Sequence, residues 1–199
     1  MPARTGQQYI EGLRAQEREV WLGGERVKDV TKHPGLAGGV RAIAHLYDMQ
    51  HAPELREFMT FPSPTTGEPV GRSFDMPQTK EALETRSKMM LNWARATCGM
   101  MGRSPDFMNV TFAAWGAAAD FFGEKRPEFA DNMRRYVEYI RENDLTLTHS
   151  LINLQRSRNV SGMFNLQEGT ALEVKKETSA GIVVHGARCA ASHASMLRP

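Results

Sequence analysis

Apolar residues recur at helical spacing in three long stretches of the chain. The first begins at Thr79, a typical capping residue, and runs to about Thr97; the second spans 105–122 and the third 127–143. Apolar positions three and four residues apart predict helices that bury one face. The predicted buried faces carry Leu83, Met90, Leu91 and Ala94, then Met108, Phe112, Trp115 and Ala119, then Phe129, Met133, Tyr136, Val137 and Ile140.

Shorter elements precede these helices. Residues 5–15 and 36–49 also have helical spacing. Two short apolar runs flank Gly23-Gly24, a pair that is typical of a tight hairpin turn. Further on, 58–61 can pair with 70–74 across the turn at 65–67, either as a second hairpin or within an extended loop.

The pattern changes after the third long helix. Alternating and β-branched residues predict strands at 146–152, 172–178 and 182–186, and the polar stretch 155–165 predicts a loop. The sequence therefore predicts a mainly α N-terminal domain with small hairpins, residues 1–143, followed by an incomplete β domain, residues 144–199. Two or three strands do not form an independent β domain, so we expect a shortened form of a longer architecture.

Composition and charge exclude several classes of protein. The chain is 41% hydrophobic and 24% charged with a net charge of +2, which is too small and too dispersed to indicate a nucleic-acid partner. The first residues lack the apolar core of a signal peptide and the sequence contains no apolar run of about 18 residues, so we expect no membrane partner. Cys98 and Cys189 lack metal-ligand or disulfide spacing, so we expect no metal site and a cytoplasmic location.

A single arginine, Arg103, lies in the glycine-bracketed turn between the first two long helices. Ser104, Pro105 and Asp106 follow as a typical helix start, with a capping hydroxyl, a proline at the first helical position and an acid in the first turn. Charged side chains at such irregular connections often build binding sites. On spacing alone, the simpler interpretation is that Arg103 caps the preceding helix.

One histidine, His149, stands in an apolar, threonine-rich segment where the two predicted domains meet. Two interpretations stay open from the sequence: a half-buried histidine bonded to the backbone, or an imidazole that contacts a ligand in a cleft between domains. The other histidines considered, His33, His45 and His51, fall at surface or helical positions and are interpreted as structural.

Four motifs occur in a characteristic order. They are EVWLGGERVKDVT from Glu19, GMMGRSPDFMN from Gly99, ENDLTLTH from Glu142 and ETSAGIVVHGAR from Glu177. Together they resemble the 4-hydroxyphenylacetate 3-monooxygenase large-component family over roughly residues 7–192. The resemblance implies an acyl-CoA-dehydrogenase-like fold with a helical N-terminal domain, a middle β-barrel and a C-terminal four-helix bundle. Compared with that pattern, we expect this chain to contain only the beginning of the barrel and to lack the bundle.

The resemblance also implies an activity. Members of this family are oxygenase components of two-component flavin-dependent monooxygenases. Reduced FAD, supplied by a separate reductase, reacts with dioxygen to a C4a-hydroperoxide that hydroxylates a phenol ortho to its hydroxyl group. The implied partners are therefore a small phenol of the 4-hydroxyphenylacetate type, the flavin reductase, and further copies of the chain in a homo-oligomer.

Site residues follow from the family's motifs. Arg103 and His149 match the arginine and histidine that surround the phenol hydroxyl, and a cation or donor there favours the reactive phenolate. The implied substrate contacts are Arg103, Phe107, His149 and Ser192. The implied flavin contacts are His149, Ser150, Gln155, Arg158 and Thr178.

The chain departs from the family's pattern at several places. Phe107 replaces the usual tyrosine, which removes one hydrogen bond to the substrate, about 1 kcal/mol. Leu154 and Ser157 replace a proline and an acid in the loop after His149. A non-catalytic relic or assembly module without a working flavin site is therefore the alternative function. A related dehydratase branch that binds an iron–sulfur cluster is set aside, because Cys98 has Gly102 four residues on instead of a second thiolate.

Overall fold

A computed structural model describes residues 3–100, 104–153 and 171–190 of the chain. Roughly half of these residues are helical, and the strands form small two-stranded antiparallel sheets. The chain separates into two compact units: a helical unit that extends to Leu147, and a β unit, Thr148–Ala194. Among the residues described, no helix combines the length and apolar character that crossing a membrane requires.

The N-terminal elements confirm the predicted helices and first hairpin. Helix α1 (Gly6–Arg14) begins at a capping box in which Thr5 and Gln8 exchange side-chain to backbone hydrogen bonds. Strands β1 (Val20–Leu22) and β2 (Glu25–Val27) are joined by two glycines with positive φ angles of 60° and 86°. Helix α2 (Ala37–Asp48) follows, and its apolar face packs with α1 in the main hydrophobic cluster.

The proline-rich segment forms the second hairpin, one of the two arrangements the sequence allowed. A short helix, α3 (Arg56–Met59), leads into β3 (Thr60–Pro62), which pairs with β4 (Pro69–Gly71). A 3-10 turn, Arg72–Phe74, comes next. The strands are shorter than predicted, because the outer residues of each predicted strand belong to α3 or to the 3-10 turn.

Helix α4 (Lys80–Ala96) begins at its Thr79 cap as predicted, but its predicted buried face is wrong. Leu83 and Leu91 are about half exposed, whereas Met89 and Trp93 are buried. The indole nitrogen of Trp93 donates to the backbone carbonyl of Leu46 at 3.2 Å. The helix is therefore rotated away from the face that the apolar pattern predicted, so that Trp93 reaches α2.

The second long helix is divided in two, which corrects the prediction of one helix over 105–122. Helix α5 (Asp106–Ala117) is capped by Ala118, and α6 (Ala119–Gly123) starts directly after that residue. Small residues permit close packing on both sides of the break: a β-carbon at Gly116 would lie 3.0 Å from a methyl of Val137, and one at Gly123 would lie 2.8 Å from the β-carbon of Ala130.

The third long helix is confirmed as α7 (Pro127–Glu142), but its buried side is narrower than predicted. Val137 and Ile140 are buried, while Phe129 and Tyr136 remain almost half exposed. In α5, likewise, Met108 is buried and Trp115 is not. The apolar stripes of both helices are therefore wider than the surface that neighbouring elements of the described chain cover. Of the other predicted positions on these two faces, Ala119 is buried as expected, and Phe112 and Met133 are half-buried.

Four strands form the described part of the β unit: β5 (Ser150–Asn153), β6 (Glu173–Thr178), β7 (Gly181–His185) and β8 (Arg188–Ala190). β6 pairs with β7 as predicted, and β8, which was not predicted, pairs with β5. The predicted strand over 146–152 begins only at 150, because Leu145 and Thr146 are buried in the helical unit. The predicted loop at 155–165 lies outside the described residues.

Candidate functional site

The turn after α4 has the geometry that its glycines predicted. Cys98 and Gly99 both adopt positive φ angles, 52° and 78°, and the Gly99 amide donates to the Ala94 carbonyl at 2.7 Å. Such a left-handed pair ends a helix and redirects the chain. Arg103, the leading candidate in this turn, lies outside the described residues, so its role stays a prediction.

The start of α5 differs slightly from the predicted one. Pro105 takes the cap position itself, with φ −61° and no capping side chain, so the predicted capping role of Ser104 is wrong. Asp106 is the first helical residue and is buried, whereas Phe107 next to it is 47% exposed. Of these two neighbouring side chains, that of Phe107 is therefore the more exposed.

A buried polar contact fixes this first turn of α5. The side-chain amide of Asn109 donates to the hydroxyl of Ser73 at 2.9 Å, and both residues are 1% exposed. The contact joins α5 to the 3-10 turn. The Oδ1 atoms of Asp106 and Asn109 are buried without a hydrogen-bond partner among the described residues. Buried acceptors of this kind are uncommon in folded proteins and are often found near functional groups.

A second polar cluster, which the sequence analysis missed, surrounds the exit of α7. Asp144 is 3% exposed and has a φ of 45°. Its carboxylate accepts from the backbone amide of Arg4 at 2.9 Å and from the side chain of Gln50 at 2.8 Å. Its carbonyl accepts from the Arg4 guanidinium, with Nε at 2.8 Å, and from the Tyr47 hydroxyl at 3.0 Å. The hydroxyls of Tyr47 and Thr146 also bond to each other.

Burial controls the ionisation of this cluster. It raises the pKa of Asp144, and the neighbouring Arg4 charge opposes that shift. Burial likewise raises the pKa of Tyr47 to about 12, so this hydroxyl stays protonated and able to donate. The Arg4 guanidinium lies over the Tyr47 ring, 4.8 Å from its centre. The only sequence signal for the cluster was the Asn-Asp pair after α7, since both residue types tolerate positive φ angles.

A third set of contacts ties the end of α7 to the β3–β4 turn. Glu142 accepts from the Ser63 hydroxyl at 2.6 Å, from Thr66 at 3.2 Å and from Arg141 at 2.7 Å. Burial alone would raise the pKa of Glu142, but these hydrogen bonds and the Arg141 charge together lower it. The ionised form is therefore favoured, and the helix end is held in place.

The β unit contains three of the predicted site residues that are described. His149 is half-buried and directly precedes β5, and Ser150 is the exposed first residue of that strand. Thr178 is exposed at the end of β6, where its hydroxyl donates to the Gly181 carbonyl at 2.9 Å and accepts from the Ala180 amide at 3.3 Å. The structure thus assigns His149, Ser150 and Thr178 to one unit and Phe107 to the other. Gln155, Arg158 and Ser192 lie outside the described residues.

An apolar cavity of about 300 Å³ opens between α6 and α7, lined by Phe122, Phe129, Asn132, Met133 and Tyr136. None of the predicted site residues lines it. Within the described ranges, no cluster of three or more His, Cys, Asp or Glu side chains is arranged to hold a metal ion.

The fold is shared with flavoprotein oxygenase components. One solved structure, an oxygenase component of 4-hydroxyphenylacetate 3-monooxygenase complexed with FAD and 4-hydroxyphenylacetate, superposes with a TM-score of 0.84 and is 44% identical, covering 94% of this chain and 38% of that one. An oxygen-tolerant archaeal 4-hydroxybutyryl-CoA dehydratase from N. maritimus has the same fold, with a TM-score of 0.75 at 22% identity, covering 94% of this chain and 37% of that chain.

Sequence comparison identifies the family. A model described as 4-hydroxyphenylacetate 3-hydroxylase N terminal matches residues 5–198, so the chain belongs to this family. The 4-hydroxyphenylacetate 3-monooxygenase oxygenase components of Thermus thermophilus and Geobacillus sp. are 45% and 43% identical over 192 residues, which are 96% of this chain. The chain spans 38% of the length of each. The resemblance drawn from the four motifs is confirmed.

Proposed function

We propose that this chain is the N-terminal part of the oxygenase component of a two-component phenol monooxygenase. Its co-substrates are dioxygen and reduced FAD delivered by a separate reductase. One observation carries the proposal: the described fold matches, at a TM-score of 0.84 and 44% identity, an oxygenase component complexed with FAD and 4-hydroxyphenylacetate. On the same basis we propose that the β unit is the beginning of a β-barrel domain.

The proposed substrate is a small phenol, and its hydroxyl oxygen is the atom that the protein controls. Arg103 supplies a positive charge beside this oxygen and His149 a hydrogen bond. Both interactions favour the phenolate, in which the ring carbon ortho to the oxygen is more nucleophilic. Phe107, exposed in the first turn of α5, contributes an aromatic surface for the ring, and Ser192 is a further proposed substrate contact.

We propose that hydroxyl groups of the β unit contribute to binding the flavin. The Ser150 hydroxyl is exposed and makes no hydrogen bond to another described residue, so it is available to a ligand. The Thr178 hydroxyl already closes the β6–β7 turn, which leaves it one further acceptor position. With His149, Gln155 and Arg158, these residues would hold reduced FAD, which supplies the activated oxygen. The protein's own task is to orient the phenol and exclude water.

Flavin binding tests the proposal most directly. We expect anaerobic titration of the purified chain with reduced FAD to show binding with a Kd on the order of tens of micromolar or tighter. An exposed serine of the helical unit offers a matched control: Ser150→Ala should weaken binding, and Ser87→Ala on α4 should not. Absence of binding by the unaltered chain would refute the claim that this polypeptide carries a flavin site.

Replacing Arg103 tests the phenol site separately. In an enzyme completed with the remaining family domains, Arg103→Ala should remove a charge-assisted hydrogen bond of about 1.5–3 kcal/mol and so weaken phenol binding about 10- to 100-fold. Flavin affinity should stay nearly unchanged. Arg41→Ala, an exposed arginine on α2, is the matched control. Unchanged hydroxylation after Arg103→Ala would return this residue to a helix-capping role.

Restoring the family's tyrosine tests the departure at position 107. Phe107→Tyr adds a hydroxyl at a half-exposed site, and one net hydrogen bond of about 1 kcal/mol would raise phenol affinity about fivefold. 4-Nitrophenol is a suitable ligand because its phenolate absorbs visible light, and a Rhodococcus relative, 33% identical, is a 4-nitrophenol 2-monooxygenase oxygenase component. A loss of affinity would show that the substrate does not use this position.

An assembly module is the second candidate function. The observation in its favour is a set of exposed apolar side chains on β7, where Ile182, Val183 and Val184 are each about half exposed or more. A chain with this function would bind other polypeptides of the family, or further copies of itself, without binding flavin. Sedimentation in the presence and absence of FAD separates the two candidates. FAD that sediments with the chain would favour the oxygenase, whereas association without bound FAD would favour the assembly module.

A further inference from the structure

A small cavity between the end of α1 and the end of β2 has a positively charged lining. Its volume is about 140 Å³. Among the described residues that line it, three are cationic, Arg14, Arg18 and Lys28, and one is acidic, Asp29, which gives a net charge of +2. Outside these four, 22 basic and 22 acidic residues remain (25 less three, and 23 less one), so their charges cancel. The net positive charge of the chain therefore corresponds to this one lining.

The apolar part of the lining belongs to the protein interior. Leu13, Val27 and Val30 line the cavity, are each less than one-tenth exposed, and are members of the main hydrophobic cluster. Charges interact more strongly beside such a low-dielectric region than in open water. Burial also lowers the pKa of Arg18, because water does not fully solvate its guanidinium. An anion bound in the cavity would compensate for that lost solvation.

The acidic residue of the lining, Asp29, is bonded to its own neighbours. Its Oδ1 accepts from the Thr31 amide at 2.8 Å and from the Thr31 hydroxyl at 2.6 Å. The bond from that hydroxyl is the main reason that the pKa of Asp29 is lowered, so the carboxylate is ionised at neutral pH. Its Oδ2 lies 3.8 Å from Nζ of Lys32 and 3.9 Å from Nε of Arg14. Asp29 therefore offsets only one of the positive charges of the lining.

The cationic side chains are held at the cavity and can donate to a ligand. Nε of Arg14 donates to the Thr31 hydroxyl at 3.0 Å, while the two terminal nitrogens of Arg14 make no hydrogen bond to another described residue. The Lys28 ammonium is exposed and forms no ion pair with the described part of the chain. A terminal nitrogen of Arg18 donates to the Gln16 side chain at 2.6 Å, which restrains that guanidinium. Arginine forks and lysine ammonium groups are the side chains that recognise phosphate.

We propose that this cavity binds a small tetrahedral dianion of the phosphate type, either the free ion or the monoester of a small molecule. Arg14 and Lys28 donate to its oxygens, and Arg18 adds positive charge beside it. Pockets for drug-sized ligands measure roughly 300–1,000 Å³, so a cavity of about 140 Å³ suits one compact anion. None of these residues is among the proposed flavin or phenol contacts, and the proposal therefore does not depend on the proposed function.

Calorimetric titration of the purified chain with inorganic phosphate tests the site. We expect a Kd on the order of 1 mM in dilute buffer, and weaker binding in added sodium chloride because partly exposed charges are screened. Arg14→Gln and Lys28→Gln should each weaken binding about 5- to 20-fold. Arg41→Gln removes the same charge from an exposed position on α2 and should leave binding unchanged. Asp29→Asn keeps an acceptor for Thr31 but removes the negative charge, and should tighten binding.

The choice of ligands separates the sources of the anion. Tighter binding of glycerol phosphate than of inorganic phosphate would assign the site to a phosphorylated small molecule, and the reverse order would assign it to the free ion; both orders support the proposal. Acetate, which is planar and singly charged, should bind more weakly than phosphate, and equal binding would overturn the preference for a dianion. The site itself is refuted if the unaltered chain binds no phosphate in calorimetry and ³¹P NMR, or if Arg41→Gln weakens binding as much as Arg14→Gln. Tighter binding by Asp29→Asn would also exclude misfolding as the cause of the other changes, because a general loss of structure weakens binding.

Discussion

Gly6 allows a sharp test of how α1 packs on α2. A β-carbon at this first residue of α1 would lie 2.4 Å from the backbone carbonyl oxygen of Ala44 and 2.6 Å from a carboxylate oxygen of Asp48. The Gly6 amide also donates to Asp48 at 2.7 Å. Because the nearest atom is helix backbone, Gly6→Ala cannot be accommodated by a side-chain rotation and must push α1 away from α2.

The expected loss combines three terms. Overpacking of a tight contact costs about 1–3 kcal/mol. Weakening the charge-assisted hydrogen bond to Asp48 costs about 1.5–3 kcal/mol if α1 shifts. The better helix propensity of alanine returns about 1 kcal/mol. The free energy of unfolding should therefore fall by about 1.5–5 kcal/mol, and the melting temperature by about 3–20 °C for a chain of this size.

Gly38 on α2 is the matched control. A β-carbon there meets no atom within 4 Å, so Gly38→Ala should raise the free energy of unfolding by about 0.5–1 kcal/mol through helix propensity alone. Calorimetry and urea unfolding of both variants provide the comparison. A Gly6→Ala variant that is as stable as the unaltered chain would refute the close helix contact, and with it the placement of Arg4 two residues earlier.

Two other changes test the polar contacts. Glu142→Gln removes a carboxylate whose pKa is lowered in the folded state. The stabilisation that this carboxylate provides is present above the ordinary carboxyl pKa and is lost as pH falls through the lowered value. The variant should therefore lose about 1.5–3 kcal/mol at neutral pH and show a flatter acid-unfolding curve, and an unchanged curve would contradict the assigned contacts. Ser73→Ala leaves the buried Asn109 amide without its acceptor and should cost about 1–3 kcal/mol in urea unfolding, whereas Ser87→Ala on the exposed side of α4 should cost less than about 0.5 kcal/mol.

Local rules were sufficient for the elements that begin or turn at a local signal. The capping residues Thr5 and Thr79, the glycine pair at 23–24 and the alternation around the β6–β7 turn each act through backbone hydrogen bonds or φ angles within a few residues. Those constraints are the same in any tertiary environment, and the corresponding helices and hairpins were predicted correctly. The family was also evident from four ordered motifs, because they are read directly as residues.

Which face of a helix is buried was decided by tertiary structure. Leu83 and Leu91 were predicted to be buried in α4, yet Trp93 is buried in their place because its ring reaches the Leu46 carbonyl on α2. The break at Ala118 has the same origin, since α6 turns to pack small residues against α7. An apolar pattern indicates which residues of a helix can be buried, but it does not indicate which neighbouring elements are present to cover them.

The polar clusters, like the buried helix faces, depend on tertiary structure. Arg4 and Asp144 are 140 residues apart, and neither has an apolar periodicity or a local motif that would bring them together. The sequence by itself determined most helix starts, the hairpin turns and the family, because these depend on near neighbours and on residue identity. Only the tertiary structure decided that Arg4 is buried and hydrogen-bonded to Asp144 after the end of α7, because burial and pairing depend on segments that meet after the chain has folded.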